Sequence, residues 1–153
     1  MIYIAHRGLF EGPNIDLENK PEQIELAISK GFDCEIDLWV TNGELFLGHD
    51  KPTYKTNYNF LSGKPLWIHA KNFEALNWLC NKKRKFNYFW HQNDDYTITS
   101  DGYIWTYPSE KLSERSVCNQ PEWYIPVEKL ANFNETCYAI CSKYVGLMKK
   151  VTK

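Results

Sequence analysis

Glu35 and Asp37 stand two residues apart in the run Phe-Asp-Cys-Glu-Ile-Asp-Leu. On an extended strand both point to one face, and like charges held that close repel unless a cation lies between them. Hard oxygen donors so placed suit a divalent ion such as Mg²⁺ or Ca²⁺. The same pattern also describes a solvated strand face, with Cys34, Ile36 and Leu38 as its buried side. The four histidines, His6, His49, His69 and His91, each follow a strand-like run. Two of them flanking a metal would serve as general base and general acid near neutral pH. Arg7 and Lys71 sit beside such positions and would neutralise a phosphate, arginine through its fork and lysine as a point charge.

These residues need elements to carry them. Ile2–Ala5 reads as a strand delivering His6-Arg7-Gly8, and residues 19–31 read as a helix opening at Pro21 and closing at Gly31. Residues 32–40 and 42–50 alternate like strands around Asn42-Gly43, a strong hairpin signal. A strict two-residue turn sets His49 opposite Ile36 and so away from the carboxylates; a bulge would return it to their side. Residues 65–71 form another strand, 72–85 a helix, and 86–92 and 102–108 aromatic strands. Beyond Pro108 the pattern weakens, and the stretches 122–133 and 136–150 suggest two short strands and a terminal helix. Strands alternating with helices favour a parallel sheet with crossovers, whose sites gather beyond the carboxyl ends of the strands.

The bulk properties narrow the class. The 153 residues fit one domain, and 43% hydrophobic content excludes disorder. A net charge of −1 gives no reason to expect nucleic acid as a partner. Apolar runs are too short for a stable membrane anchor, and a strand from residue 2 leaves no signal peptide. Five scattered cysteines without a paired motif fit free thiols in a reducing cytoplasm. Trp90, Trp105 and Tyr107 read as core, and Lys82–Lys85 as a solvated helix end.

In order along the first 71 residues, Ala-His-Arg-Gly (5–8), the stretch 18–38 containing Glu35 and Asp37, Leu-Gly-His-Asp (47–50) and Trp-Ile-His-Ala-Lys (67–71) resemble glycerophosphodiester phosphodiesterases and their sphingomyelinase D relatives. The resemblance implies that His6 and His49 are the acid–base pair. It further implies that Arg7 and Lys71 hold the substrate phosphate, and that Glu35, Asp37 and His69 bind the metal. The family carries an acidic residue where His69 stands, so beside Mg²⁺ or Ca²⁺ the histidine admits Mn²⁺ or another transition metal. Residues 89–108 resemble a segment of small members of this superfamily, with His91 and Asp94 as candidate substrate contacts. The implied fold is a (β/α)₈ barrel of the phospholipase C-like phosphodiesterase type, normally of ~250 residues. At 153 residues the expectation is a trimmed or incomplete barrel forming one domain over 1–153, with a homodimer as one way to cover its edges. The implied activity is cleavage of a glycerophosphodiester or a similar small or lipid-derived phosphodiester. The alternative is a module of the same origin that binds phosphate or phospho-head-groups without cleaving them.

Overall fold

A computed structural model describes residues 1–151. The chain curls ten strands into one mixed sheet, a half-barrel, with few and short helices. At its centre lie β1 (Ile2–His6) and β2 (Asp33–Thr41), paired in parallel. On the far edge of β2 runs β5 (Leu66–Ala70), then β6 (Asn87–Phe89), both parallel. On the far edge of β1 follow β10 (Ala139–Ser142), β9 (Ser116–Asn119) and β8 (Ile104–Thr106), again all parallel. Two antiparallel excursions leave this row. The second half of β2 turns at Asn42-Gly43 into β3 (Glu44–Leu47), which pairs with β4 (Tyr54–Thr56). The second is β7 (Tyr96–Ile98), which pairs with β8.

The alternating trimmed (β/α) barrel expected from the sequence does not form. Helices follow only some strands: α1 (Pro21–Ser29) after β1, the single-turn α2 (Tyr58–Leu61), α3 (Phe73–Cys80) after β5, and α4 (Val145–Val151) after β10. Between β8 and β9 there is no helix, and between β9 and β10 only short 3₁₀ turns. Pro121 opens the first of these turns, and Pro126, which lacks a backbone donor, stops it from running on as an α-helix into the second. The expected strands also shorten. The run 42–50 yields only β3, and 86–92 only β6, while β4, β7 and β9 form where no strand is expected. Residues 122–133, read as a strand, are 3₁₀ turns, whereas β10 and α4 fall where a strand and a terminal helix were expected.

Strand alternation divides the core in two. Ala5, Cys34, Ile36, Leu38, Ile68 and Ile140 face the helices, where Ile24, Ala27, Ala75 and Leu79 cover them. On the other face Ile4, Trp67, Phe89, Trp105, Val117 and Cys141 fill the inside of the curl. His6, Glu35, Asp37 and His69 belong to this inner set by period. Asn72 caps α3 through its own side chain and also bonds both the N–H and C=O of Val40, fastening α3 to β2. Among the described residues no helix is long and apolar enough to cross a membrane.

Candidate active site

Register places the predicted groups side by side. His6 on β1 pairs with Glu35 on β2, and Asp37 on β2 pairs with His69 on β5. All three strands run parallel, so their carboxyl ends coincide and their inner-face side chains meet in a cavity of about 360 Å³. Arg7 and Lys71, one step beyond β1 and β5, line it as well. Lys71 Nζ stands 3.7 Å from Asp37 Oδ1. Arg7 adopts φ 54°, a left-handed conformation that side-chain-bearing residues rarely take. That conformation turns its N–H onto Glu35 Oε2 at 3.1 Å, its Nη1 onto Glu18 Oε2 at 2.7 Å, and its Nε to within 3.4 Å of Asp37 Oδ2.

His49 reaches the cavity by leaving the ladder. The strand β3 ends at Leu47, and Gly48 bends the chain inward, its N–H donating to Asp37 O and its carbonyl accepting from Trp39 Nε1. A Cβ at Gly48 would lie 2.0 Å from the Lys51 carbonyl oxygen, so only glycine fits. The strict hairpin register would have turned His49 away; the bend returns it to the carboxylate side. Its Nδ1 lies 2.7 Å from Asp50 Oδ1.

Glu35, Asp37 and His69 each offer a donor atom within 4.8 Å of the others. His69 Nε2 lies 2.9 Å from the carbonyl of His91, which can only accept, so Nε2 carries a hydrogen. A ring with that single proton turns a bare Nδ1 toward Asp37 Oδ1 at 3.2 Å. Two lone pairs then face each other, and a cation between them, or a second proton on the ring, resolves the contact. A backbone carbonyl holding the far nitrogen is the usual support of a metal-ligating histidine. The residues therefore fit a divalent ion.

Electrostatics points the same way. Burial, with the charge of Asp37 beside it, pushes Glu35 up to about 8. Burial would raise Asp37 as well, but His69 donating from Nδ1 when its ring carries the second proton, together with the charges of Arg7 and Lys71, holds it well below the usual carboxylate range. Burial, reinforced by Arg7, drops His6 well below an ordinary histidine. Its Nδ1 is buried without a hydrogen-bond partner, and its Nε2 is 3.7 Å from Glu35 Oε2.

Of the two candidate substrate contacts, His91 lines the cavity with its Nε2 2.6 Å from Asp94 O. Asp94 itself is exposed and stays outside the lining. Several participants escaped the sequence reading. Asn19, fully buried, donates to Asp37 Oδ2 at 2.8 Å and accepts the Asp37 N–H at 2.9 Å. Glu18 bridges Arg7 and Lys143. Lys143 follows β10 as Arg7 follows β1, a cation at a strand's carboxyl end, and that placement was the available signal. Trp105 is core as expected, but Trp90 and Tyr107 are exposed, and Tyr107 with the exposed Trp123 forms part of the cavity wall. All five cysteines are free, and burial pushes the thiols of Cys34 and Cys141 up, leaving them inert.

No family model, curated protein or solved structure matches the chain.

Proposed function

We propose that this cavity is the active site of a metal-dependent phosphodiesterase acting on a glycerophosphodiester or a similar small phosphodiester. The reading rests chiefly on one observation: the Glu35–Asp37–His69 group shares a single cavity with His6, His49, Arg7 and Lys71. The motif order resembling glycerophosphodiester phosphodiesterases supports it. Two carboxylates and one imidazole suit Mn²⁺, and Mg²⁺ or Ca²⁺ by that resemblance. A divalent ion there would neutralise charge on a phosphate oxygen.

The chain's own groups divide the remaining work. Arg7 and Lys71 hold the phosphate oxygens. His6, kept neutral near pH 7 by its burial, takes the proton of the attacking hydroxyl, either water or a neighbouring hydroxyl of the substrate. The new P–O bond forms as the P–O bond to the leaving alcohol breaks, and His49 gives that oxygen a proton. Asn119, Gln120, Gln92 and Asn93 line the cavity. Asn119 Oδ1 is buried with no hydrogen-bond partner, an acceptor suited to a substrate hydroxyl. This wall favours polar alcohol groups over acyl chains.

Phosphorus NMR of the purified protein with a panel of glycerophosphodiesters tests the proposal, with Mg²⁺, Mn²⁺ and Ca²⁺ in turn. Metal-dependent product that disappears with chelator and in His6→Ala is expected. A cyclic phosphate among the products would identify internal attack. Binding of phosphodiester and metal by folded protein, with no product under any metal, would replace the enzyme with the non-cleaving phosphate-binding module.

A further inference from the structure

The opposite end of the sheet holds a second cavity, of about 310 Å³. It opens where the parallel strands begin, and the inner cluster of Ile4, Trp67, Phe89, Trp105 and Val117 separates it from the site above. Its lining carries both acceptors and cations. Asp33 takes the Trp67 indole N–H on Oδ2 at 3.0 Å. Asn87 Oδ1 is buried with no hydrogen-bond partner, and a buried acceptor left so calls for a donor. The rings of Tyr103 and Tyr138, stacked at 4.1 Å with their hydroxyls bonded, form the adjoining wall.

The cations are Lys64, Arg84 and Lys85. Lys64 is engaged with the Phe60 carbonyl and lies 3.9 Å from Glu25. Arg84 and Lys85 are exposed, and among the described residues neither side chain has an ion pair or hydrogen bond. The turn that presents them runs through two successive left-handed residues, Lys83 at φ 46° and Arg84 at φ 63°. Asp101 also lines the cavity, so the carboxylates Asp33 and Asp101 offset Arg84 and Lys85, and a net-neutral ligand carrying both charges matches this lining better than a simple anion or a simple cation.

We propose that this cavity binds a small zwitterion, its protonated amine received by Asp33 and Asn87 Oδ1 and its anionic group by Arg84 and Lys85. A protonated amine supplies the donor that Asn87 lacks, and its charge suits Asp33. The anionic end, a carboxylate being the simplest, suits the forked donor of Arg84. The site is independent of the phosphodiesterase reading.

Titration of ¹⁵N-labelled full-length protein, followed by NMR, tests it. The probes are glycine, 4-aminobutanoate and 6-aminohexanoate, with acetate and methylammonium as the two half-ligands. At least one zwitterion is expected to shift the Asn87 and Trp67 indole signals, with an affinity at least tenfold above either half-ligand. Asp33→Asn and Arg84→Glu are each expected to weaken that binding at least tenfold. Arg84 is exposed, so its variant tests the proposal even if Asp33→Asn fails to fold. Silence from all three zwitterions, acetate or methylammonium binding as tightly as any of them, or binding that survives Arg84→Glu would overturn the assignment.

Discussion

Glu35 is the residue whose behaviour reports most directly on the site. An unfolded glutamate loses its proton near ~4.3, whereas burial and Asp37 hold the folded one up to about 8. Between those values the folded chain keeps a proton that the unfolded chain has released, so Glu35 costs metal-free protein stability as pH rises through the interval. A metal must displace that proton. Apparent metal affinity is therefore expected to weaken by roughly tenfold per pH unit below about 8. Calorimetric Mn²⁺ titrations at pH 6, 7 and 8 measure this, with proton release seen in buffers of differing ionisation heat. Glu35→Gln should flatten the dependence and weaken binding; a dependence unchanged in that variant would reject Glu35 as the group displaced. His6 and His49 are expected to lose ~10²-fold or more in turnover as alanine variants, read by the phosphorus NMR assay while circular dichroism shows the fold retained.

Elements, rather than single groups, decide whether those side chains meet. The hairpin exit at Gly48 is the clearest case, since a methyl there meets the Lys51 carbonyl oxygen at 2.0 Å. Gly48→Ala is expected to lower stability by ~1–3 kcal/mol and to cut turnover as strongly as loss of His49. Denaturant unfolding alongside the activity assay separates the two effects. Asn19 acts on another element, closing the β1–α1 loop onto β2 by a reciprocal pair of bonds with Asp37. Asn19→Ala leaves the buried Asp37 N–H unpaired, at an expected ~1–3 kcal/mol. Its metal affinity should fall too, because Asp37 Oδ2 loses its support; Tm and metal titration together check this.

At the scale of the molecule, a bound ion would join β2 to β5 at the heart of the sheet. Ligand that binds only the folded state stabilises it by mass action, about 2.7 kcal/mol at a hundredfold excess over Kd. Thermal unfolding is expected to shift upward with added Mn²⁺, to return with chelator, and to be insensitive to metal in Asp37→Asn. The inner aromatic column matters at this scale as well. His69 stacks on Phe89 at 5.0 Å, and Phe89 on Trp105 at 4.3 Å. The ring that receives the ion is thereby seated on the core of the curl. Truncating Phe89, buried to 2% exposure, should cost ~3–5 kcal/mol, measured by chemical unfolding.

Much of the candidate site was legible in the residues themselves. Period-two alternation put Glu35 and Asp37 on one face, because successive side chains on a strand point oppositely whatever the fold around them. Histidines at strand ends, a helix bounded by Pro21 and Gly31, and the Asn42-Gly43 turn were local features, set by steric rules acting over a few residues. Pairing was different. That His6 lies beside Glu35 and His69 beside Asp37 depends on register between strands distant in sequence. The entry of Asn19, Glu18 and Lys143 depends on loops and strands more than a hundred residues apart in the extreme case. The architecture itself also escaped, since 3₁₀ turns and strands as short as three residues carry little periodicity. Local stereochemistry determined which side chains were available for chemistry; only long-range packing decided which of them share a cavity.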